Sequence, residues 1–268
     1  MKLKDRVAII TGGGSGIGRA TSLAFAREGA KVVAAARNLS RLEEVVKAIK
    51  AKGGQAKAIQ TDISDYEQIK RLVAQTIDEF GQVDILVNNA AAMATNNADT
   101  VDMNLDNWYN TLAVSLTGTM LCAREVLKNM IPRKSGSIVN VSSVAGLSGV
   151  PKENPYATTK WGVIGFTETL AIEVGKHNIR VNSISPGATL TDEFDEWIKR
   201  SAKDAGISYE KLMAKLTDYN ALKRAAKPEE IANCIVFLAS DDASAMTGAN
   251  LVASCGFHIV HPNMISLA

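Results

Sequence analysis

Histidine and cysteine are scarce in this sequence, charge of one sign is not in excess, and long apolar runs are missing. Each lack removes a class of function. The three histidines, His177, His258 and His261, lie away from the motif-bearing segments. A serine-hydrolase triad therefore has no evident base, and no G-x-S-x-G elbow surrounds the serine pair Ser142 and Ser143. Cys122, Cys234 and Cys255 are odd in number and lack C-x-x-C spacing, against both a disulfide framework and a zinc knuckle. With no zinc-binding helix motif or calcium loop either, no metal is expected. Lys and Arg total 30 against 28 Asp and Glu, a formal net charge of +2, which offers no distinctive surface to nucleic acid or membrane. No run of about 18 apolar residues suggests a membrane span. The opening MKLKDRVAII reaches a strand with no room for a signal peptide's apolar core, so a cytoplasmic protein is expected.

What the chain does have is a glycine-rich turn between a strand and a helix. Val7, Ala8, Ile9 and Ile10 form the apolar run of a strand buried on both faces. Gly12, Gly13 and Gly14 let the backbone turn sharply and approach a ligand, where a Cβ would collide with it. From Gly16 the period becomes helical, with Ile17, Ala20, Leu23 and Ala24 on one face. A helix N-terminus is thereby aimed past the strand, a geometry that favours phosphate. At 268 residues, one α/β domain with a large core is expected over 1–268.

Further motifs follow in order. The strand KVVAAA, Lys31 to Ala36, ends on Arg37 and Asn38 instead of an acidic residue. An acid at that point hydrogen-bonds a ribose 2′-hydroxyl, whereas an arginine accommodates a 2′-phosphate with paired donors. The reading is NADP(H) over NAD(H), against the plainer alternative that Arg37 is a solvated residue ahead of a helix over 38–52 capped by Asn38 or Ser40. A third strand leads to Asp62 and Ile63, and Ser64 with Glu67 has the spacing of a capping box for a helix through Phe80. A fourth strand over 83–87 runs into Asn88-Asn89-Ala90-Ala91, a fifth over 137–141 into Ser142-Ser143-Val144-Ala145-Gly146, and then comes Tyr156-Ala157-Thr158-Thr159-Lys160. Tyr156 and Lys160, four apart, share one face of a helix.

Together, Thr11-Gly12-x-x-x-Gly16-Ile17-Gly18, N-N-A, S-S-V-A-G and Y-x-x-x-K resemble the motifs of the short-chain dehydrogenase/reductase family over nearly the whole chain. The resemblance implies a single-domain, Rossmann-like, doubly wound and mostly parallel sheet of about seven strands flanked by helices. It implies an oxidoreductase that interconverts a carbonyl and a secondary alcohol, with Tyr156 as general acid/base, Ser143 on the substrate oxygen, and Lys160 serving both the phenolate and the nicotinamide ribose. The cofactor cleft would be lined by Gly12, Gly14, Ser15, Gly16, Ile17 and Gly18, then by Arg37, Asn38, Asp62 and Ile63 on the adenosine side. Asn89, Ala90, Ala91, Tyr156, Lys160, Pro186, Gly187, Thr189 and Thr191 would complete it. In the pattern V-N-L-x-G the family's asparagine helps hold a water that passes protons to the lysine; here Ser115 stands at that position, within a helix expected over about 104–131, and a relay with altered geometry is expected. Lowering a phenol from its usual value near 10 by about three pH units needs roughly 4 kcal/mol, of the order a nearby lysine ammonium supplies.

The segment over 190–222 reads as an amphipathic helix or a substrate lid at the ligand edge of the sheet. Pro228 to Ala239 reads as a helix with a proline and acids in its first turn, and a last strand over 249–253 precedes Ser254-Cys255-Gly256, where relatives commonly carry D-G-G. A homotetramer or homodimer is implied, with the Tyr156 helix and last strand as interfaces. Candidate lining residues at 93–97, 147–154 and 190–198 lack a cationic cluster, which favours a neutral cyclic ketone, polyol or hydroxyketone over an acyl-carrier thioester. Two alternatives accompany this reading: an NADP(H)-binding regulatory protein with little turnover, and an NAD(H)-dependent polyol or sugar dehydrogenase.

Overall fold

The computed structural model describes residues 1–92 and 98–259. The candidate lining segment 93–97, His261 and the rest of the tail lie outside the described residues. Seven strands are joined in one sheet: β1 Val7–Thr11, β2 Lys31–Ala36, β3 Ala56–Gln60, β4 Ile85–Asn88, β5 Gly136–Val141, β6 Ile179–Pro186 and β7 Asn250–Ala253. Their order is β3-β2-β1-β4-β5-β6-β7, and every pairing is parallel. The order reverses between β1 and β4, so the C-terminal ends of those strands open the crevice where doubly wound folds bind ligands.

The helices are α1 Gly16–Arg27, α2 Leu39–Lys50, α3 Tyr66–Phe80, α4 Leu105–Leu112, α5 Thr119–Arg133, α6 Asn154–Gly175, α7 Asp192–Asp204, α8 Tyr209–Asp218 and α9 Pro228–Ala239. Strand side chains alternate between the two faces, as the pleat requires. Ala8 and Ile10 join a core with Phe25 of α1, Val45 and Ile49 of α2, and Ile231 and Ile235 of α9. Ile9 joins the opposite core with Ile69 and Leu72 of α3, Val126 of α5 and Leu170 of α6. Each such buried Ile, Leu or Phe contributes about 1.5–3 kcal/mol, and the two layers together hold the central strands rigid.

Two local expectations are corrected. The N-cap of α3 is Asp65, not Ser64: its Oδ1 accepts from the N–H of Glu67 at 2.9 Å and of Gln68 at 3.3 Å. Ser64 is drawn away because its hydroxyl and its N–H both donate to Asp62 Oδ1, at 2.7 and 2.9 Å. The helix expected over 104–131 is interrupted by a π-helical turn, Ala113–Gly118, between α4 and α5. Such turns are frequent at functional sites, and Ser115 lies within this one. The segment over 190–222 resolves into two amphipathic helices, α7 and α8, and Phe194 stacks on Trp197 with ring centroids 5.7 Å apart.

Candidate active site

The site grows from the turn after β1. Gly12 and Gly16 take φ of +66° and +49°, a region that L side chains rarely adopt. A Cβ on Gly18 would stand 2.0 Å from the Gly12 carbonyl oxygen, so α1 can start against the turn only with glycine there. Ser15 caps α1 in an extended conformation without a side-chain bond to the helix, leaving the first-turn N–H groups facing the turn. Thr11 fastens this structure to its neighbour: its hydroxyl accepts from the N–H of Asn89 and Ala90, at 3.0 and 3.1 Å. Asn89 Nδ2 donates back to the Thr11 carbonyl at 3.0 Å. This close, glycine-rich cradle at a helix N-terminus fits the phosphates of a dinucleotide.

Among the residues expected on the adenosine side, Arg37 is exposed at the end of β2, and its carbonyl accepts from Gln60 Nε2 at 2.8 Å. Asn38 caps α2, its Oδ1 accepting from the Arg41 N–H at 3.2 Å and the Ser40 hydroxyl at 2.8 Å. Ile63 is buried beneath the π turn, where a Cβ on Gly118 would lie 2.7 Å from its carbonyl oxygen.

The structure brings Ser143, Tyr156 and Lys160 together at the end of β5. Ser143 follows that strand, and its hydroxyl accepts from the Ala145 N–H at 3.2 Å and stands beside the Tyr156 phenol. Lys160 is buried; its Nζ donates to the Val141 carbonyl at 2.9 Å and lies 5.4 Å from the centre of the Tyr156 ring. Burial pulls the Lys160 pKa down to about 8. The phenol of Tyr156 moves the opposite way from expectation. Burial raises its pKa, the Ser143 hydroxyl opposes the rise, and the Glu153 carboxylate adds to it. The cause is desolvation, with the nearby ammonium turned to the Val141 carbonyl.

Ser115 is buried, and its Oγ accepts from the Ala92 N–H at 3.0 Å. It therefore grips the backbone just after Asn88-Asn89-Ala90-Ala91, whereas the recorded bond of Lys160 goes to Val141. Sequence reasoning missed the polar chain beneath this point. Asn88 Nδ2 donates to Asn140 Oδ1 at 2.9 Å, and Asn140 Nδ2 donates to the Thr167 hydroxyl at 2.9 Å, joining β4, β5 and α6. The one signal available was a lone asparagine in the apolar strand SIVNV.

The remaining cofactor candidates sit where β6 ends. The Gly187 N–H donates to Ala253 at 3.1 Å, and the Thr189 hydroxyl donates to the Gly187 carbonyl at 2.9 Å. Thr191 caps α7, accepting from the Phe194 N–H at 3.1 Å, and its methyl would be 3.1 Å from a Cβ on Gly16. The segment over 190–222 thus begins directly over the glycine turn. Ser254 packs behind Gly187, and the Leu222 N–H donates to the Cys255 carbonyl at 3.0 Å, tying the segment's far end to the chain after β7. Among the described residues no three His, Cys, Asp or Glu side chains converge as metal ligands. None of the described helices is long and apolar enough to cross a membrane.

Comparison with known proteins agrees with this geometry. A family model described as enoyl-(acyl carrier protein) reductase matches residues 12–258. The chain is 39% identical over 248 residues to a 3-oxoacyl-(acyl-carrier-protein) reductase FabG of Thermotoga maritima, covering 92% of this chain and 96% of that one. It is also 39% identical over 256 residues to a 2,5-dichloro-2,5-cyclohexadiene-1,4-diol dehydrogenase of Sphingobium indicum, covering 95% and 98% of the two chains. Among solved structures, an actinorhodin polyketide ketoreductase with NADPH superimposes with a TM-score of 0.90 at 30% identity, over 95% of this chain and 97% of that one. On fold, motifs and likeness together, the chain belongs to the short-chain dehydrogenase/reductase family of oxidoreductases.

Proposed function

We propose that the protein is an NADP(H)-dependent oxidoreductase interconverting a ketone and a secondary alcohol, with Tyr156 as its general acid/base. The observation that carries this reading is the meeting of Ser143, Tyr156 and Lys160 at the sheet edge that also holds the glycine turn. When bound, the nicotinamide supplies a hydride to the carbonyl carbon. Tyr156 gives its phenolic proton to the carbonyl oxygen, so hydride and proton together complete the two-electron reduction. Ser143 donates a hydrogen bond that orients the same oxygen. Lys160 stabilises the phenolate left on Tyr156 and is the residue proposed to hold the nicotinamide ribose. The exposed Arg37 supports NADP(H), since its guanidinium is available to a 2′-phosphate.

The substrate reading is a neutral cyclic or hydroxylated ketone, supported by the Phe194–Trp197 stack on α7, the proposed lid, and by likeness to a dehydrogenase of a cyclic diol. The exposed Trp161 and Ile172 on α6 support a homotetramer or homodimer, and the three free cysteines support a reducing, cytoplasmic setting. Binding without turnover is the second reading, favoured by Ser115 and Ser254-Cys255-Gly256. A panel of cyclic ketones and diols followed by NADPH absorbance, with cofactor binding measured in parallel, tests both. Turnover that depends on Tyr156 supports the enzyme, and tight binding with no turnover on any member supports the regulatory protein.

A further inference from the structure

Arg41 belongs to none of the sequence motifs, yet its side chain borders the glycine turn. It is the third residue of α2, and its N–H donates to the capping Asn38, which fixes where the side chain leaves the helix. A Cβ on Gly14 would lie 3.3 Å from the Arg41 Cβ, so the root of the side chain packs against the turn. From there Nη1 reaches to 3.6 Å from Glu193 Oε1, in the first turn of α7. Glu193 borders the other side: its Oε2 would be 3.5 Å from a Cβ on Gly16. The ion pair therefore spans the turn between Gly14 and Gly16, beside backbone suited to phosphate.

Both side chains are about half exposed, at 56% and 49%, and an ion pair in that setting contributes little to stability. It is correspondingly easy to open. A phosphate carries as much charge as a carboxylate or more and matches the guanidinium's paired donors. We propose that Arg41 is a phosphate-gripping residue that tunes cofactor affinity and is held in reserve by Glu193: on binding, Arg41 exchanges that carboxylate for a cofactor phosphate. The inference rests on the glycine turn being a dinucleotide cradle. Glu193 then acts as a counterweight that occupies the guanidinium and repels the incoming phosphate.

Two phosphates share this chemistry, the pyrophosphate and the 2′-phosphate, and only NADP⁺ carries the second. Dissociation constants for NADP⁺ and NAD⁺, measured by calorimetry on the full chain, separate them. Arg41→Gln should weaken binding about 5- to 30-fold, and Glu193→Gln should tighten it about 2- to 5-fold. Arg41→Lys should lie between the parent and Arg41→Gln. In the double variant the gain from Glu193→Gln should shrink to the part that comes from relieved repulsion alone, because the guanidinium it frees is gone. Changes confined to NADP⁺ assign the contact to the 2′-phosphate, and changes shared with NAD⁺ assign it to the pyrophosphate. Unchanged affinities in Arg41→Gln, or weaker binding in Glu193→Gln, overturn the inference while leaving the cofactor reading intact. A parent protein that binds neither dinucleotide overturns both.

Discussion

Lys160 donates its ammonium to the carbonyl of Val141 at 2.9 Å, tying the helix that carries Tyr156 to the end of the strand that leads to Ser143. The Ser142 hydroxyl repeats the tie by donating to the Lys160 carbonyl at 2.8 Å. A Cβ on Gly146 would fall 2.7 Å from that same carbonyl oxygen, so the loop after β5 closes tightly on α6. The serine, the tyrosine and the lysine are thereby positioned by protein alone, which is how prepaid orientation lowers a barrier.

Tyr156→Phe keeps the ring and removes the proton. kcat should fall by at least about 10²-fold, the loss expected for general acid catalysis, while NADP(H) binding persists. Full activity in this variant, in steady-state assays on any accepted ketone, would sink the proposed chemistry.

The buried Lys160 makes stability depend on pH. Its folded pKa of about 8 lies below the ordinary 10.5, so between those values the unfolded chain binds more protons and stability rises with pH. Below about pH 8 the full cost of burying the ammonium is present, about 3 kcal/mol from the gap between the two values. Tyr156 works in the opposite sense: its raised pKa makes stability fall as pH climbs above the ordinary phenol value. Urea denaturation at pH 7 and pH 10 should therefore show the parent gaining stability, with Lys160→Met losing most of that gain. An equal pH response in the two proteins would show that the ammonium is not desolvated.

Gly18→Ala should abolish the cradle. The added Cβ would sit 2.0 Å from the Gly12 carbonyl and 2.5 Å from Asn89 Nδ2, and neither the turn backbone nor the Thr11-braced amide has room to withdraw. Overpacking of this kind costs about 1–3 kcal/mol. The expected outcome is a lowered Tm together with lost cofactor affinity, measured by thermal melts with and without NADP⁺.

The motif residues were legible in advance because each carries a local signature. Val7 to Ile10 reads as a buried strand, Gly12 to Gly14 as a sharp turn that approaches a ligand, and Tyr156 with Lys160 as one helix face. Partners set by distant packing were not legible. Asn140 meets Asn88 only because β5 lies beside β4 in register, and Thr167 joins them from α6. Arg41 gained its interest from Glu193, on an element far along the chain. The direction of the Tyr156 shift also escaped, since desolvation depends on burial and on where the Lys160 ammonium points, and spacing encodes neither.

Arg37→Asp replaces an exposed guanidinium with a carboxylate beside the expected 2′-phosphate. Losing a charge-assisted grip and adding repulsion should weaken NADP(H) by about 2 to 4 kcal/mol, with little change for NAD(H). Fluorescence titration with both cofactors reads this directly. A parent that prefers NAD(H) would move the function to the NAD(H)-dependent polyol or sugar dehydrogenase alternative.

Ser115 decides between a proton relay and a structural anchor. As an anchor, its hydroxyl holds the Ala92 N–H at 3.0 Å from inside the π turn and keeps the chain after Asn89 against the cleft. Ser115→Ala would leave that half-buried N–H without its acceptor, costing about 0.5–1.5 kcal/mol. Its melting temperature should fall while kcat per folded molecule changes little. Ser115→Asn is the sharper experiment, because the longer amide can accept from Ala92 and also reach farther into the cleft. If the native site already moves protons adequately, this variant changes kcat only modestly and leaves the pH profile of turnover in place. A gain of about a hundredfold would mean that the serine breaks the relay, and would turn the interpretation toward a cofactor-binding protein that has given up most of its turnover.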